Sequence, residues 1–544
     1  MPEPPPLELR FGVTCRPHDE TMNAVPASKK LERRIILLSA ERWRDLCVAG
    51  IAGAALALAF PKVGATWLAP FGAAAIFWLW QSHASYRAAS ALGFLAGFVF
   101  FAISFSWFGT TVGAYLGNFA SAVVVLPAAI EALAFVAAAL LAVTAYRFAP
   151  PALAPLAAAA GFALAEWGRS VGVMGAPFGQ IGYTQVDTPL RSFGAYIGSY
   201  GLTWIVCMLG AYLADAFIAR TAKRLLGFLG VLVVTLAAAW WFWPARTYPA
   251  PSVRVAAIQG NIAQSLKWTP QAFTYSLDRY LKLTREATTA HPAIIVLPET
   301  AIATALNEAP DIVARFSHLS GSTHTTIVVG SLEALGTRAY NALYVFSPEG
   351  GLQAVYQKRQ LVPFAEAVPG DSFLHWVPKL DDLASHFSHG HDNAVIPTPS
   401  LSFAPIICWE SAFADLVDAQ VRNGAQLLII STDDAWFGTS AGPYQHAQIA
   451  QMRAIEEGSW VLRAASTGVS GIIAPDGAYT HRTDLDREAV VVGRVGPPVG
   501  SMFARIGPTR ITMLLAALYV ATIGLGTALR LQALRRDRTA ETER

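Results

Sequence analysis

A polytopic α-helical membrane bundle of about eight transmembrane helices, joined to an α/β layered domain, is the fold class this sequence predicts, and three observations predict it. The first is bulk composition: of 544 residues, 54% are hydrophobic and only 14% charged, with a mean hydropathy of +0.40, which is more apolar than an ordinary soluble globular protein. The second is uneven placement. Leu46 to Trp243 reads as successive hydrophobic segments, whereas Val253 to Val495 has ordinary globular composition and carries most of the histidines and acidic residues. The third is that strand-like and helix-like runs alternate through this second stretch, the pattern of layered α/β domains.

A hydrocarbon core roughly 30 Å thick needs about 20 apolar residues per helix. Candidate spans fall near residues 46–60, 65–81, 89–110, 119–146, 152–168, 192–218 and 223–243, with an isolated eighth at Ile511 to Leu529. The expected domains are an N-terminal extension at 1–40, membrane helices at 41–245, a globular domain at 250–497, a last helix at 508–531 and a tail at 532–544. The extension is Pro-rich and aperiodic through Ala27 and lacks a signal-peptide pattern; disorder is expected there, with Met22 as an alternative initiator.

Basic residues favour the cytoplasmic side of short loops. Lys29, Lys30, Arg33, Arg34, Arg42 and Arg44 precede the first helix, and Arg87, Arg147 and the Arg220, Lys223, Arg224 cluster fall in alternate connections. Arg530, Arg535, Arg536 and Arg538 follow the last helix. Both termini are therefore expected in the cytoplasm and Val253 to Val495 outside, which in a bacterium is the periplasm. Lys62, Arg169, Arg191, Arg246, Arg505 and Arg510 oppose this assignment, those nearest the large domain counting less because long translocated regions largely escape the rule, while Trp240, Trp241 and Trp243 suit an interfacial belt at the outer end of the seventh helix.

In the globular stretch, strands are predicted at Val253 to Gln259, Ile294 to Leu297, Thr326 to Val329, Ala342 to Phe346, Leu401 to Cys408, Leu427 to Ser431, Gly471 to Ile473 and Ala489 to Val492. Helices are predicted near Gln271 to Thr289, Phe413 to Asn423 and His446 to Glu457.

A net charge of +3 gives no argument for nucleic acid. Cys15, Cys47, Cys207 and Cys408 show no metal-ligand spacing, so neither a metal, a cofactor nor a disulfide framework is indicated. Glu131 stands in mid-helix, where an ionisable group is costly; with only Asp215 comparable, pairing inside the bundle is expected rather than ion transport.

Chemistry concentrates at strand ends. Cys408 ends the apolar run in LSFAPIICWE and is followed by helix-like sequence, as when a strand presents a nucleophile at a sharp turn. Glu299 ends a second run, AIIVLPET, and Lys358 lies in YQKRQLVPFAE. A thiol with a pKa of about 8.5 needs a base or a cation to act at neutral pH. Glu299 is the candidate base, and Lys358, with a backbone N–H near Trp409, the candidate stabiliser of developing oxyanion charge.

These motifs, in this order, resemble the carbon-nitrogen hydrolase (nitrilase) superfamily, and the membrane flanks resemble its apolipoprotein N-acyltransferase branch. The matching segments are QGNIAQSLKW (Gln259 to Trp268), LPET (Leu297 to Thr300), Tyr356 to Glu366, Cys408 to Glu410, DAWFG (Asp434 to Gly438), GPYQH (Gly442 to His446) and GQIGYTQ (Gly179 to Gln185). The resemblance implies an α-β-β-α sandwich, a Glu299, Lys358, Cys408 triad, and supporting roles for Glu366, Glu410 and Trp409. Trp268, Trp436, Phe437 and Tyr444 become candidates for lipid contact. It further implies acyl transfer from a membrane phospholipid, through a Cys thioester, to the amine of a diacylglyceryl-modified apolipoprotein, by a monomer in the bacterial inner membrane.

The chain departs from the usual pattern at Asp433, where asparagine is common, at Ser466 ahead of Thr467 and Gly468, and at Trp409, where the acyltransferases often carry tyrosine. Trp409 keeps a membrane-tethered amidase in view as an alternative, and the intact triad weighs against a catalytically silent scaffold. Loops at Pro363 to His375 and Asp434 to Tyr444 are candidate gates.

Overall fold

The computed structural model describes residues 27–83, 85–109, 111, 124–172, 174–242, 248–367 and 387–542. The Pro-rich start, Trp243, Arg246 and the later part of the first candidate gate, 368–375, lie outside the described residues. The chain divides into two compact units. The first, ending at Leu46, is helical where described, and its Arg44 lies 2.9 Å from Asp45. The second runs from Cys47 onward.

Eight helices occupy the apolar segments among the described residues: α1 (Ala27–Leu58), α2 (Leu68–His83), α3 (Tyr86–Ser104), α4 (Val125–Phe148), α5 (Ala154–Arg169), α6 (Gly194–Ala219), α7 (Ala222–Phe242) and a last helix at Pro508–Thr542. Among the described residues five stretches are long and apolar enough to cross a membrane: α3, α4, α6 with the turn before it, α7 and the last helix. Helices α2 and α5 have 16 residues each, about 24 Å at 1.5 Å per residue. Helix α3 ends at Ser104, where Phe105 leaves the helical region, and residues 106–109 are helical again, so the expected span to residue 110 is broken rather than continuous.

Small side chains let these helices approach closely. Ala138, Ala139 and Ala142 of α4 and Ala157, Ala158 and Ala159 of α5 are fully buried in one core with Phe100, Phe101, Phe135 and Phe162. Helix α6 is not continuous: Gly198 adopts φ +63°. A Cβ there would stand 2.2 Å from the Phe503 ring, so only glycine allows this approach. Glu131 pairs with Arg169 at 3.1 Å and Asp215 with Arg224 at 3.1 Å, the pairing inside the bundle that the sequence suggested. Arg169 also donates to the carbonyls of Ala176 and Phe178, so its charge is spent within the protein.

The globular part contains β1 (Val253–Gln259), α8 (Pro270–Thr288), β2 (Ile294–Val296), α9 (Pro310–Thr323), β3 (Thr326–Leu335), β4 (Arg338–Phe346) and β5 (Leu352–Gln357). It continues with β6 (Phe403–Ile407), α10 (Ala414–Arg422), β7 (Leu427–Thr432), α11 (Gly442–Glu457), β8 (Trp460–Ala465), β9 (Gly471–Ile473), β10 (Tyr479–Arg482) and β11 (Ala489–Val495). The last membrane-type helix is α12 (Pro508–Thr542). The strands form a six-stranded sheet in the order β11-β1-β2-β3-β4-β5 and a five-stranded sheet in the order β10-β9-β8-β7-β6. Pairing is parallel through β1-β2-β3 and through β6-β7-β8.

Side-chain alternation along each strand explains the layering. Val255, Ala257, Ile294, Val296, Leu427, Ile429 and Leu462 meet between the two sheets. Their sequence neighbours Ala256, Ile258, Ile295 and Leu297 pack outward on Leu277, Leu281 and Phe316 of α8 and α9. On the other side Leu428, Ile430 and Val461 pack on Val417, Ala450 and Ala454 of α10 and α11. With both faces covered, the parallel strands read as unbroken apolar runs. The result is the expected α-β-β-α sandwich. Strands β5, β8 and β10 and helix α9 had no prediction; β8 carries Arg463 within WVLRAA, which breaks the apolar signal.

Candidate active site

The chemically active side chains leave the carboxyl ends of strands, where open α/β sheets form their clefts. Glu299 follows β2, Lys358 follows β5, Cys408 follows β6 and Asp433 follows β7. The Glu299 loop lies flat on β3 because Gly330 has no side chain; a Cβ there would stand 2.1 Å from the Pro298 carbonyl oxygen.

Cys408 adopts φ +49°, a left-handed conformation that a non-glycine residue holds only when its surroundings impose it. The surroundings are specific. Glu410, fully buried, accepts from the Ile407 N–H at 2.7 Å through Oε2. Through Oε1 it accepts from the Arg359 N–H at 2.6 Å, and the Tyr356 hydroxyl donates at 2.9 Å. One carboxylate therefore joins the cysteine turn to the segment carrying Lys358. The Cys408 carbonyl accepts from the Ser411 hydroxyl at 2.8 Å and faces His446 Nε2 at 3.1 Å.

The Lys358 ammonium donates to Glu299 Oε1 and to Glu366 Oε1, each at 2.9 Å. The Asn341 amide spans the same two oxygens at 2.7 and 3.0 Å, while Glu299 Oε2 accepts from the Asp433 N–H at 2.8 Å. Glu366 Oε2 accepts from the Val362 N–H at 2.8 Å. Burial opposes the charge on Lys358, but Glu299 and Glu366 outweigh it and hold the amine well above its ordinary pKa. Burial likewise pushes the Glu299 carboxyl up, yet Lys358 and then Lys267 bring it below its ordinary value. Burial, followed by the Glu299 carboxylate, drives the Cys408 thiol well above its ordinary pKa against the pull of Lys358. The resting site is a carboxylate, an ammonium and a protonated thiol.

A second buried layer supports the cysteine turn. Asp434 lies 2.8 Å from His446 Nδ1 and 2.7 Å from Arg463 Nη2. Burial and then Arg463 lower the His446 pKa, which keeps the imidazole neutral. Among the described residues no group of three or more His, Cys, Asp or Glu side chains could hold a metal ion.

The aromatic candidates disperse. Trp409 stacks on Phe178, with ring centroids 4.9 Å apart and planes 11° apart. Phe437 is buried edge-on against Trp107 at 4.8 Å. Trp436 is half-buried, and its carbonyl accepts from the Thr111 hydroxyl at 3.0 Å. Tyr444 lies by Arg482, whose guanidinium is 6.0 Å from its ring. Trp268 remains 50% exposed. A cavity of about 410 Å³ opens between Phe60, Val63, Ile103 and Trp107 on one side and Ala441 and Gln445 on the other, with none of the three triad residues in its wall.

Comparison with known proteins places this geometry. Residues 254–499 match the carbon-nitrogen hydrolase family, and residues 52–212 match the apolipoprotein N-acyltransferase N-terminal domain. Over 515 residues the chain is 32% identical to an apolipoprotein N-acyltransferase of Shewanella oneidensis, spanning 87% of this chain and 94% of that protein. The chain belongs to the apolipoprotein N-acyltransferase family. A family member from Geobacter metallireducens is 33% identical over 85% of this chain and 91% of its own length. One from Brucella suis is 31% identical over 91% and 98%. Among solved structures, an amidase from Nesterenkonia sp. aligns with 48% of this chain and 99% of its own at 16% identity and a TM-score of 0.38.

Within this family member, sequence reading singled out the triad, Glu366 and Glu410 but passed over Asn341, Lys267, Asp434, His446 and Arg463 as individual residues. Asn341 and Arg463 sit inside strands β4 and β8, where a polar residue reads as noise in an apolar run. Lys267 and His446 lie in quoted motifs, QSLKW and GPYQH, and their near-complete burial was the missing signal.

Proposed function

We propose that the protein moves a fatty acyl group from a membrane phospholipid to the α-amine of the N-terminal diacylglyceryl-cysteine of apolipoproteins, through a thioester on Cys408. The observation that carries this reading is the left-handed Cys408 turn electrostatically coupled to the Lys358-bridged Glu299 and Glu366, in a chain whose described residues include five helices long and apolar enough to cross a membrane.

The chemistry follows from the resting charges. Glu299 takes the thiol proton as Sγ attacks the ester carbonyl. The oxyanion that develops is met by the Lys358 ammonium and a backbone N–H near Trp409, in a setting that excludes water and strengthens both. Glu299 returns the proton to the departing lysophospholipid oxygen, leaving the thioester. In the second half-reaction the neutral amine attacks the thioester carbonyl, Glu299 accepts its proton, and the Cys408 sulfur leaves and is reprotonated. The products are an amide and the starting enzyme. Glu366 keeps Lys358 in place and Glu410 keeps the cysteine turn in place. No cofactor takes part.

The acyl donor reaches the thiol from the bilayer, with Trp268, Trp436, Phe437, Tyr444 and the apolar wall at Phe60, Val63 and Ile103 as its contacts. About eight helices anchor a monomer in the bacterial inner membrane, with residues 250–497 in the periplasm, both termini in the cytoplasm and Asp434 to Tyr444 acting as a gate. Accessible-cysteine mapping of single-cysteine variants in intact spheroplasts checks the orientation; labelling of the domain only after lysis overturns it.

The reaction itself is tested by intact-mass analysis of purified protein incubated with phospholipid, beside Cys408→Ala. A hydroxylamine-sensitive acyl adduct at Cys408 that moves to the amine of an added diacylated lipopeptide is expected. Release of free fatty acid with no transfer to the peptide identifies a hydrolase instead.

A further inference from the structure

Lysine is almost never fully buried without a partner, and Lys267 is 4% exposed on the short helix Gln264–Lys267 that follows β1. Its ammonium donates to the Glu299 backbone carbonyl at 3.1 Å and pairs with Asp433 Oδ2 at 2.5 Å. Asp433 is itself 2% exposed and acts twice on the same neighbour. Its backbone N–H donates to Glu299 Oε2 at 2.8 Å, while its side chain neutralises the cation beside the Glu299 carbonyl. The other oxygen, Oδ1, accepts from the Ala435 N–H at 3.3 Å and starts the turn Asp434–Phe437.

Glu299 is thus held between two ammonium groups, Lys358 on its carboxylate and Lys267 on its backbone. Both cations stabilise the ionised carboxylate, and a base stabilised too far cannot accept a thiol proton. Position 433 carries aspartate here, where asparagine is common in the pattern noted above. An amide would leave Lys267 without a counter-charge.

We propose that Asp433 and Lys267 are a positioning pair that sets the basicity of Glu299, with the Asp433 carboxylate cancelling the Lys267 charge that would otherwise over-stabilise the ionised base. This rests on the assignment of Glu299 as the base for Cys408. The charged and titratable groups that face Glu299 are Lys358 and Glu366 after β5, Cys408 after β6, Asp433 after β7 and Lys267 before α8. Tyr280 on α8 faces Asp433, and Glu410 acts on Lys358 from beyond.

The test uses the full-length protein in detergent and a p-nitrophenyl acyl ester, an activated donor that acylates Cys408 whether the natural donor is a phospholipid or an amide. The thioester forms at Sγ, p-nitrophenolate departs, and the thiol proton passes to Glu299. Burst rate is followed against pH, with Cys408→Ala as background. Asp433→Asn, matched in shape, removes a negative charge and moves the acidic limb to lower pH by on the order of one unit, with a lower plateau. Lys267→Met moves the limb to higher pH, and the double variant returns it to within a few tenths of a unit of the native position. Limbs that stay in place while plateaus fall, or that move in the same direction in both single variants, overturn the proposal. So does a native protein with no Cys408-dependent burst. If one single variant does not fold, the other must still move its limb in the stated direction. A normal burst with this ester but no acyl adduct from phospholipid overturns the acyl-transfer reading alone.

Discussion

The helix bundle and the sandwich both bury charge, and they do different things with it. In the bundle, Glu131 and Asp215 each take one basic partner, Arg169 and Arg224, at 3.1 Å, and buried Glu166 is held by the Ile181 N–H and the Thr203 hydroxyl. Arg169 completes its hydrogen bonds on the Ala176 and Phe178 carbonyls, and so holds the loop whose Phe178 stacks on Trp409. In the sandwich, Lys358 is shared by Glu299 and Glu366, Asn341 bridges the same two oxygens, and the cluster is coupled to a thiol. Burial of charge alone therefore does not mark a catalytic site. What sets the candidate site apart is the convergence of unlike groups at strand ends beside a thiol.

The contrast breaks most readily at Lys358. Lys358→Met leaves Glu299 and Glu366 facing each other without their cation and removes the donor proposed for the oxyanion; an acylation rate lower by about 10³-fold is expected from the burst assay. A loss under tenfold would mean that Lys358 is a structural ion of the bundle kind.

Next in size is Arg169→Met, which strands Glu131 in an apolar helix and should cost about 3–5 kcal/mol in denaturation. Adding Glu131→Leu should recover at least half, because the pair is structural. Failure of the second substitution to rescue would show that Arg169 acts through its carbonyl contacts instead.

Glu410→Ala sharpens the comparison from within the site. It orphans the Ile407 and Arg359 N–H groups and the Tyr356 hydroxyl, so a destabilisation of about 2–3 kcal/mol is expected together with slower acylation. Stability and rate unaffected by the change would remove Glu410 from the framework that holds Cys408.

The pH dependence of the thiol is a finer test. Since burial and then Glu299 raise the Cys408 pKa, iodoacetamide labelling at Cys408, read by peptide mapping, should have its midpoint above the ordinary thiol value of about 8.5. Glu299→Gln removes the like charge and should lower that midpoint; a midpoint that rises would mean the carboxylate does not act on the thiol.

The smallest effect belongs to Trp268, 50% exposed. Trp268→Ala should change stability by less than about 0.5 kcal/mol while raising the phospholipid concentration needed for half-maximal acylation. Unchanged donor dependence would return it to the class of surface aromatics.

What could be read from the sequence was whatever depends on short-range pattern. Apolar runs located the eight helices of the apolar segments among the described residues, five of them in stretches long and apolar enough to cross a membrane, and continuous apolar runs ending near Glu299 and Cys408 located the strand ends. Motif order brought in Lys358, because neither its charge nor its neighbours identify it by spacing. The Arg in β8 and the Asn in β4 hid themselves: a polar side chain in a buried strand is explained only by a partner from another strand or loop. Ala342 and Gly330 flanking segments say nothing of Asn341 reaching Glu299 across 42 residues of chain.

By itself, then, the sequence determined the layered α/β class and the membrane character, since each follows from local hydrophobic periodicity, and it pointed to Cys408 as the candidate nucleophile through residue chemistry and motif order. Tertiary structure alone decided which charges are shared and which are paired. Lys267 meets Asp433 across 166 residues, and Asp433 meets Glu299 across 134. Ionisation in a buried site is set by through-space distance and desolvation, and those exist only once the strands have brought their ends together.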